Sequence, residues 1–94
     1  MYAALLLAIE ISDDDVALSE VASQCGYDFS HRLVNDVAEP VVAEWHGEPC
    51  LSLRLSLTED LSGEAFDDLL LSGTLRISHP SVSSVRALCI QACA

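Results

Sequence analysis

Lysine is absent from this sequence, and four arginines are all that oppose 15 aspartates and glutamates, giving a formal net charge of -11. A protein that binds nucleic acid supplies cations that replace the counterions condensed on the phosphates. This chain instead repels phosphate backbones and anionic membrane surfaces, and its charge steers it toward basic surfaces. We therefore expect a basic protein surface as its partner, with no direct nucleic-acid contact and no membrane contact. The alternative is that the charge serves solubility alone.

Sequence motifs of catalysis and of metal binding are also missing. There is no Gly-x-Ser-x-Gly and no glycine-rich phosphate loop, and the absence of lysine excludes Schiff-base and P-loop chemistry. The four cysteines contain no Cys-x-x-Cys pair, and the three histidines lack the spacing of a zinc site. We predict no catalytic residue, no metal and no cofactor, with the cysteines acting as small hydrophobic side chains.

No apolar run reaches the length of a transmembrane helix. The first nine residues resemble the apolar part of a signal peptide, but a basic start and a small-residue cleavage site are lacking, and Glu10 follows at once. With 94 residues, of which 51% are hydrophobic, we expect one domain spanning 1–94. We expect it in the cytoplasm, where cysteines stay reduced.

The clearest structural pattern lies between Cys50 and Thr58. Four leucines alternate there with Ser52, Arg54, Ser56 and Thr58. Such a period of two predicts a strand with one face on a core and the other toward water or a partner.

Other segments are assigned from apolar periodicity and from turn residues. We find no internal repeat and no low-complexity linker. The segment 81–94 fits a helix and a strand about equally well, and the second long helix begins either at 58–60 or at 62–64. The remaining expectations are a central strand at 2–12, a helix at about 14–25 capped by an aspartate of 13–15 and stopped by Gly26, a short helix within 27–39, a hairpin over 41–58, and a strand at 74–78 after a stop at Gly73.

This order of elements, β-α-(short helix)-β-β-α-β plus a terminal element, predicts an α+β fold. The pattern matches a ferredoxin-like, split βαβ arrangement, with an antiparallel sheet and helices packed on one face. A sheet covered on one side also accounts for the one-sided leucine strand.

One segment resembles the helix-turn-helix of AraC-type regulators. The resemblance covers Ala17–Tyr27 and the following Ser30-His31-Arg32-Leu33. In that family the second helix enters the major groove and is backed by basic residues. Here Arg32 is the lone cation, and Asp28 and Asp36 lie near it in sequence, so we assign no DNA-binding role to this segment.

The acidic residues form clusters that define the candidate partner-binding site. Self-repulsion among so many like charges costs stability, which suggests that the charges are used. In the predicted fold the two long helices lie side by side, so their clusters form one negative surface. The candidate residues are Asp13, Asp14, Asp15, Glu59, Asp60, Glu64, Asp67 and Asp68.

In size, acidity and lack of catalytic motifs, the chain resembles the small phage-encoded inhibitors, including anti-CRISPR proteins and other DNA mimics. The resemblance implies a stoichiometric inhibitor that docks on basic residues of a nucleic-acid-processing complex. Trp45 is expected in the core and would be an apolar anchor if exposed. The alternative is a small ferredoxin-like regulatory or ligand-binding module, monomeric or dimeric through the edge of its sheet.

Overall fold

The computed structural model describes residues 2–59 and 63–93. Within them lie seven strands and two helices, which make a small α+β structure. Neither helix has the length and apolar character needed to span a bilayer. The elements are β1 (Tyr2–Ile11), α1 (Leu18–Gln24), β2 (Gly26–Ser30), β3 (Val34–Val37), β4 (Val41–Trp45), β5 (Glu48–Leu57), α2 (Gly63–Ser72), β6 (Thr74–Ser78) and β7 (Val82–Cys93).

Two antiparallel sheets contain these strands. The larger has the order β3-β5-β1-β7, and β4 pairs with the start of β5 while β3 pairs with its end. The smaller consists of β2 and β6. The prediction that the strand at 2–12 is central is confirmed, because β1 pairs with β5 on one side and β7 on the other.

The core lies on one face of the larger sheet. The alternating leucines of β5 are 0–4% exposed, as the period of two predicts. They pack with Leu5 and Leu7 of β1, Val21 of α1, Phe29 of β2 and Leu69 of α2 in one cluster. Both helices and the smaller sheet therefore cover the same face, which confirms the one-sided arrangement. Neither helix of residues 2–59 and 63–93 covers the opposite face.

Helix α1 is shorter than predicted. It begins at Leu18, and no side chain caps it. The Asp13 carboxylate instead accepts a hydrogen bond from the Asp15 N–H at 3.0 Å, and the Val16 N–H donates to the Asp13 carbonyl. This turn competes with the helix for residues 13–16. Gly26 is not a left-handed stop either, because the helix ends at Gln24 and Gly26 opens β2.

The short helix expected within 27–39 is wrong. Tyr27 to Ser30 belong to β2, and β3 follows after a turn at His31–Leu33. Both strands exist through pairing with distant segments, β2 with β6 and β3 with β5. The same finding removes the helix-turn-helix resemblance, since a strand stands where the second helix would begin.

Two other expectations are settled by the strand pairings. The hairpin over 41–58 is confirmed, with Val41 opposite Ser52 and Trp45 opposite Glu48. The terminal segment is the strand β7. The start of the second long helix falls on residues that include 60–62, which lie outside the described residues, and the helix is described over Gly63–Ser72. The ferredoxin-like arrangement is not confirmed: a split βαβ unit joins parallel strands, whereas each pairing of β1 is antiparallel, and the described residues form seven strands.

An internal repeat is present, contrary to expectation. Strands β2 and β6 and the starts of β3 and β7 are offset by 48 residues, while β1 and β5 are offset by 46. The first repeat is 2–45 and the second is 48–93, and His46 and Gly47 connect them. The sequence repeats as well, since Ser30-His31-x-x-Val34-x-x-Val37 matches Ser78-His79-x-x-Val82-x-x-Val85.

Hydrogen bonds and strand registers obey the same repeat. The ring Nδ1 atoms of His31 and His79 each accept the backbone N–H two residues ahead at 3.1 Å. Val34 pairs with Leu57, and in the second repeat Val82 pairs with Ile11. The residue after each valine, Asn35 or Ser83, has no partner in the strand register. Strands β3 and β4 of the first repeat therefore correspond together to the continuous strand β7 of the second. Pro40, between β3 and β4, is equivalent to Leu88, which has no partner in the β1–β7 register.

The two repeats are related by a pseudo-twofold axis. When each residue of β1 is replaced by its equivalent in β5, and the reverse, the pairs between the two strands stay the same, and Leu6 and Ser52 are the pair at the centre. The same exchange leaves the pairs between β2 and β6 unchanged, with Asp28 and Arg76 as the central pair. The axis thus crosses the larger sheet at its centre and continues through the smaller sheet.

Candidate functional site

The candidate acidic residues lie at opposite ends of the larger sheet. Asp13, Asp14 and Asp15 follow the end of β1, and Glu59 follows the end of the antiparallel strand β5. Ten residues of strand separate these ends, a distance of about 30 Å, and the longest dimension of the molecule is 40 Å. The pseudo-twofold axis relates the two clusters. One negative surface formed by adjacent helices is therefore wrong, since α1 packs on β4 and β5 while α2 packs on β7.

At the first end, the three aspartates form the exposed turn between β1 and α1. The Asp13 carboxylate is used in that turn, as described above. Asp14 and Asp15 are exposed, and Glu20 of α1 is exposed on the same side of the sheet. Glu20 occupies the position in the first repeat that Asp68 occupies in the second.

At the second end, Glu59, Glu64 and Asp67 are exposed. Asp60 lies outside the described residues. Asp68 is different, because its Oδ2 lies 3.1 Å from Nε2 of His31 and 3.8 Å from a guanidinium nitrogen of Arg32. Among the described residues, the one ion pair between permanently charged side chains is that of Arg32 with Asp68. The described part of the second cluster thus contains three exposed carboxylates without an ion pair and one that contacts the turn before β3.

The contact between His31 and Asp68 resembles part of a catalytic dyad in composition only. The side chain of His31 is 4% exposed, and its Nδ1 already accepts the N–H of Leu33. Nε2 therefore donates its hydrogen to Asp68, and no ring atom remains for a nucleophile or a substrate. The contact joins α2 to the turn between β2 and β3, and its role is structural.

Sequence reasoning missed the open face of the larger sheet. Trp45 lies there and outside the core, contrary to expectation, with its ring edge-on to His46 at 4.3 Å. It borders a shallow cavity of about 300 Å³ that includes Cys50, Arg86 and Leu88. At the other end of this face, Arg54 stacks 4.3 Å over the Tyr2 ring. The alternation of β5 indicated a second face but not what lies on it.

The cysteines whose side chains are described are free thiols with low reactivity. Burial raises the pKa of Cys25, and Glu39 adds to this while a backbone hydrogen bond opposes it. Burial also raises the pKa of Cys50 and of Cys89, with further contributions from Glu44 and from the neighbouring Cys50, respectively. Thiols of this kind stay protonated near neutral pH and are poor nucleophiles and poor metal ligands.

Across residues 2–59 and 63–93, no group of three or more His, Cys, Asp or Glu side chains is arranged to hold a metal ion. Comparisons with protein-family models, with curated proteins and with solved structures give no match to this chain.

Proposed function

We propose that this protein is a stoichiometric inhibitor that binds a basic surface of a nucleic-acid-processing complex in the cytoplasm, by imitating the charge of nucleic acid. The observation that carries the proposal is the pair of exposed acidic clusters, one at each end of a pseudo-symmetric sheet. Their carboxylates, apart from Asp68, form no ion pairs within the described chain. Charges left without internal partners remain available to a basic surface.

The spacing of the clusters supports a partner with two basic regions. The clusters are separated by about the length of a ten-residue strand, roughly 30 Å. Dimeric DNA-binding proteins present two recognition elements about one helical turn apart, roughly 34 Å. A rigid acidic domain with a pseudo-twofold axis suits such a partner, because each cluster can meet one basic region.

The arginines do not neutralise the clusters. Arg54 and Arg86 lie on the open face of the sheet, and Arg76 lies near the pseudo-twofold axis opposite Asp28. Among the candidate residues that the structure describes, only Asp68 has an arginine beside it, which is Arg32. The ends of the molecule therefore keep a strong negative potential, and ion pairs with a partner would weaken as salt screens them.

The test is a pull-down with the tagged protein from a bacterial lysate, washed at low and at high salt, with mass spectrometry of the retained proteins. We expect a nucleic-acid-binding complex that is retained at low salt and released at high salt or by added duplex DNA. Retention that withstands both treatments would contradict the proposal and favour an apolar regulatory or ligand-binding interface.

Charge-reversed variants then assign the contact to the clusters. We expect Asp14→Lys with Asp15→Lys, and separately Glu64→Lys with Asp67→Lys, to weaken retention at least tenfold, since each turns two attractive contacts with a basic surface into repulsive ones. Asp68 is left intact because it bonds to His31. Glu39→Lys with Glu44→Lys, an equal charge change on exposed residues outside the candidate set, is the control. Equal losses in all three variants would show that net charge alone matters.

A further inference from the structure

The cavity beside Trp45 is built from four neighbouring strands of the larger sheet. Trp45 of β4 borders it on one side, and Arg86 and Leu88 of β7 border it on the other. Cys50 of β5 and Ala8 of β1 form the floor, because these two strands lie between β4 and β7. Four adjacent strands span roughly 14 Å, and a volume of about 300 Å³ is within the range of small-molecule sites.

The cavity is open because residue 8 is an alanine. Given the 46-residue offset between β1 and β5, Ala8 of the first repeat corresponds to Arg54 of the second. The Arg54 guanidinium lies 4.3 Å from the centre of the Tyr2 ring and covers this part of the open face. The side chain of Ala8 is too short to do the same. Equivalent places in the two repeats therefore differ, since one is covered by a side chain of the protein and the other is open.

Two side chains of opposite charge line the cavity without pairing with each other. Within residues 2–59 and 63–93, no ion pair joins Glu48 to Arg86. Glu10 lies with Arg86 beside a neighbouring depression of the same face, but its carboxylate accepts a hydrogen bond from the Ser84 hydroxyl at 3.2 Å. The Arg86 guanidinium can therefore bind the carboxylate of a ligand, and the Glu48 carboxylate can bind an ammonium group.

Apolar groups form much of the remaining lining. Trp45 is supported by the His46 ring, which meets it edge-on with 4.3 Å between the ring centroids. Leu88 and Pro49 add further apolar surface. Leu88 is the extra residue at an irregularity of β7, and such bulges redirect side chains beside binding sites. These groups favour a ligand that has an apolar side chain as well as charged groups.

We propose that this cavity binds a free α-amino acid with a large apolar side chain. The carboxylate of the amino acid bonds to Arg86, its ammonium group bonds to Glu48, and its side chain packs on Trp45. A zwitterion has no net charge, so the charge of -11 on the protein does not repel it as it repels an anion. A ligand with only one of the two charged groups would leave Arg86 or Glu48 without a partner.

The proposal does not depend on the inhibitor function, because none of the described candidate acidic residues lines the cavity. Salt-sensitive retention of a basic partner tests the acidic clusters, whereas ligand binding to the purified protein tests the cavity. Trp45 is the single tryptophan of the sequence, so its fluorescence reports on the cavity directly. We expect L-phenylalanine and L-leucine to change its emission saturably and to give heat in isothermal titration calorimetry. The absence of both signals at millimolar concentrations of either amino acid would overturn the proposal.

Two analogues of L-phenylalanine separate the contributions of its charged groups. Hydrocinnamate retains the carboxylate and lacks the amino group, whereas phenethylamine retains the amino group and lacks the carboxylate. We expect each analogue to bind more weakly than L-phenylalanine by roughly tenfold or more, since each loses one charge-assisted contact. Phenethylamine that binds as tightly as L-phenylalanine would show that the acidic protein merely attracts cations, and this would contradict the proposal.

Matched substitutions assign the charged contacts to individual residues. We expect Arg86→Gln and Glu48→Gln each to weaken the binding of L-phenylalanine by roughly tenfold or more. Arg54→Gln makes the same change on the same face outside the cavity, and Glu44→Gln changes a neighbour of Trp45 that lies on the other face of β4. Both controls should bind as the parent does. Equal losses in a substitution and its control would contradict the assignment.

The substitution Ala8→Leu fills the cavity from its floor. The equivalent position in the second repeat carries Arg54, so the open face accommodates a long side chain at this place in the fold. We expect the variant to keep the circular dichroism spectrum and the unfolding transition of the parent and to lose amino-acid binding. A folded Ala8→Leu variant that still binds L-phenylalanine would place the ligand elsewhere and overturn the proposal.

Discussion

Gly73 ends α2 at a point where the chain passes directly under Phe29. A Cβ atom at this position would overlap the Phe29 ring and would lie 2.6 Å from the carbonyl oxygen of Leu69. Phe29 is 5% exposed and belongs to the core, so a Cβ at residue 73 would force the packed ring or the end of the helix to shift. Glycine is therefore needed for close packing, and not for a left-handed helix end.

We predict that Gly73→Ala lowers the free energy of unfolding by about 1–3 kcal/mol, the usual cost of overpacking a core. Gly63→Ala is the matched control, since nothing lies within 4 Å of a Cβ at this second glycine of the same helix. It should leave stability unchanged or raise it, because alanine favours helices more than glycine does. Urea unfolding followed by circular dichroism measures both. An equal effect of the two substitutions would contradict the packing argument.

The buried thiols make stability sensitive to alkaline pH. Desolvation raises the pKa of Cys25 and of Cys50 in the folded state. A thiol whose pKa is higher in the folded than in the unfolded state adds to the free energy of unfolding. This addition is complete below the unfolded-state pKa and is lost as the pH rises through the folded-state pKa. We expect the free energy of unfolding to fall above roughly pH 8.5.

Urea unfolding between neutral and alkaline pH tests this prediction. The double variant Cys25→Ala with Cys50→Ala has a lower stability at neutral pH because it loses core contacts, but its stability should depend less on pH. If the native protein and the variant lose stability in parallel as the pH rises, other groups are responsible.

At the scale of elements, the segments whose local pattern and tertiary partners agree were predictable. The hairpin of β4 and β5 is one, because apolar runs flank a short polar turn. His46 and Gly47 both have positive φ angles, 52° and 80°, as in the type I′ turns that match the twist of paired strands. The same two residues join the repeats, so this turn fixes the connection between them.

We expect Gly47→Ala to lower the free energy of unfolding by about 1–2 kcal/mol, because a side chain is strained in the left-handed region. His46→Asn is the control, since asparagine adopts this conformation readily. It should be neutral or stabilising, even though it removes the ring contact with Trp45. Thermal unfolding of both variants measures these changes in stability. A larger loss of stability for His46→Asn than for Gly47→Ala would show that the aromatic contact contributes more than the turn geometry.

At the scale of the molecule, the protein consists of two intertwined copies of one unit. The long strands β1 and β5 of the two repeats pair with each other, and each last strand pairs with the first strand of the other repeat. Neither repeat can bury its leucines alone, because its neighbours in the sheet come from the other repeat. The core therefore belongs to both repeats together.

This symmetry predicts a viable circular permutant. Tyr2 lies opposite Cys93 as Glu48 lies opposite Trp45, so a His-Gly turn can join residue 93 to residue 2 while the chain is opened between His46 and Gly47. We expect the permutant to unfold cooperatively, with a circular dichroism spectrum like that of the parent. Opening the chain between Leu53 and Arg54, inside β5, should abolish folding. An unfolded first permutant would contradict the symmetric arrangement.

The sequence by itself determined the features that depend on local order. The alternation at 50–58, the apolar run of β1, the turn of the hairpin and the negative charge follow from residue type and spacing alone. The repeat was also present in the sequence, in Ser30-His31 and Ser78-His79 with their following valines, and an alignment of the two halves would have found it.

Only the tertiary structure decided where these features lie. Tyr27–Ser30 is a strand because β6 pairs with it, and 82–93 is a strand because β1 does. Both segments are compatible with a helix when taken alone. The acidic clusters stand at opposite ends because β1 and β5 are antiparallel, which is a property of pairing between distant segments. Strand pairing joins residues far apart in sequence, so its outcome depends on contacts that no local pattern records.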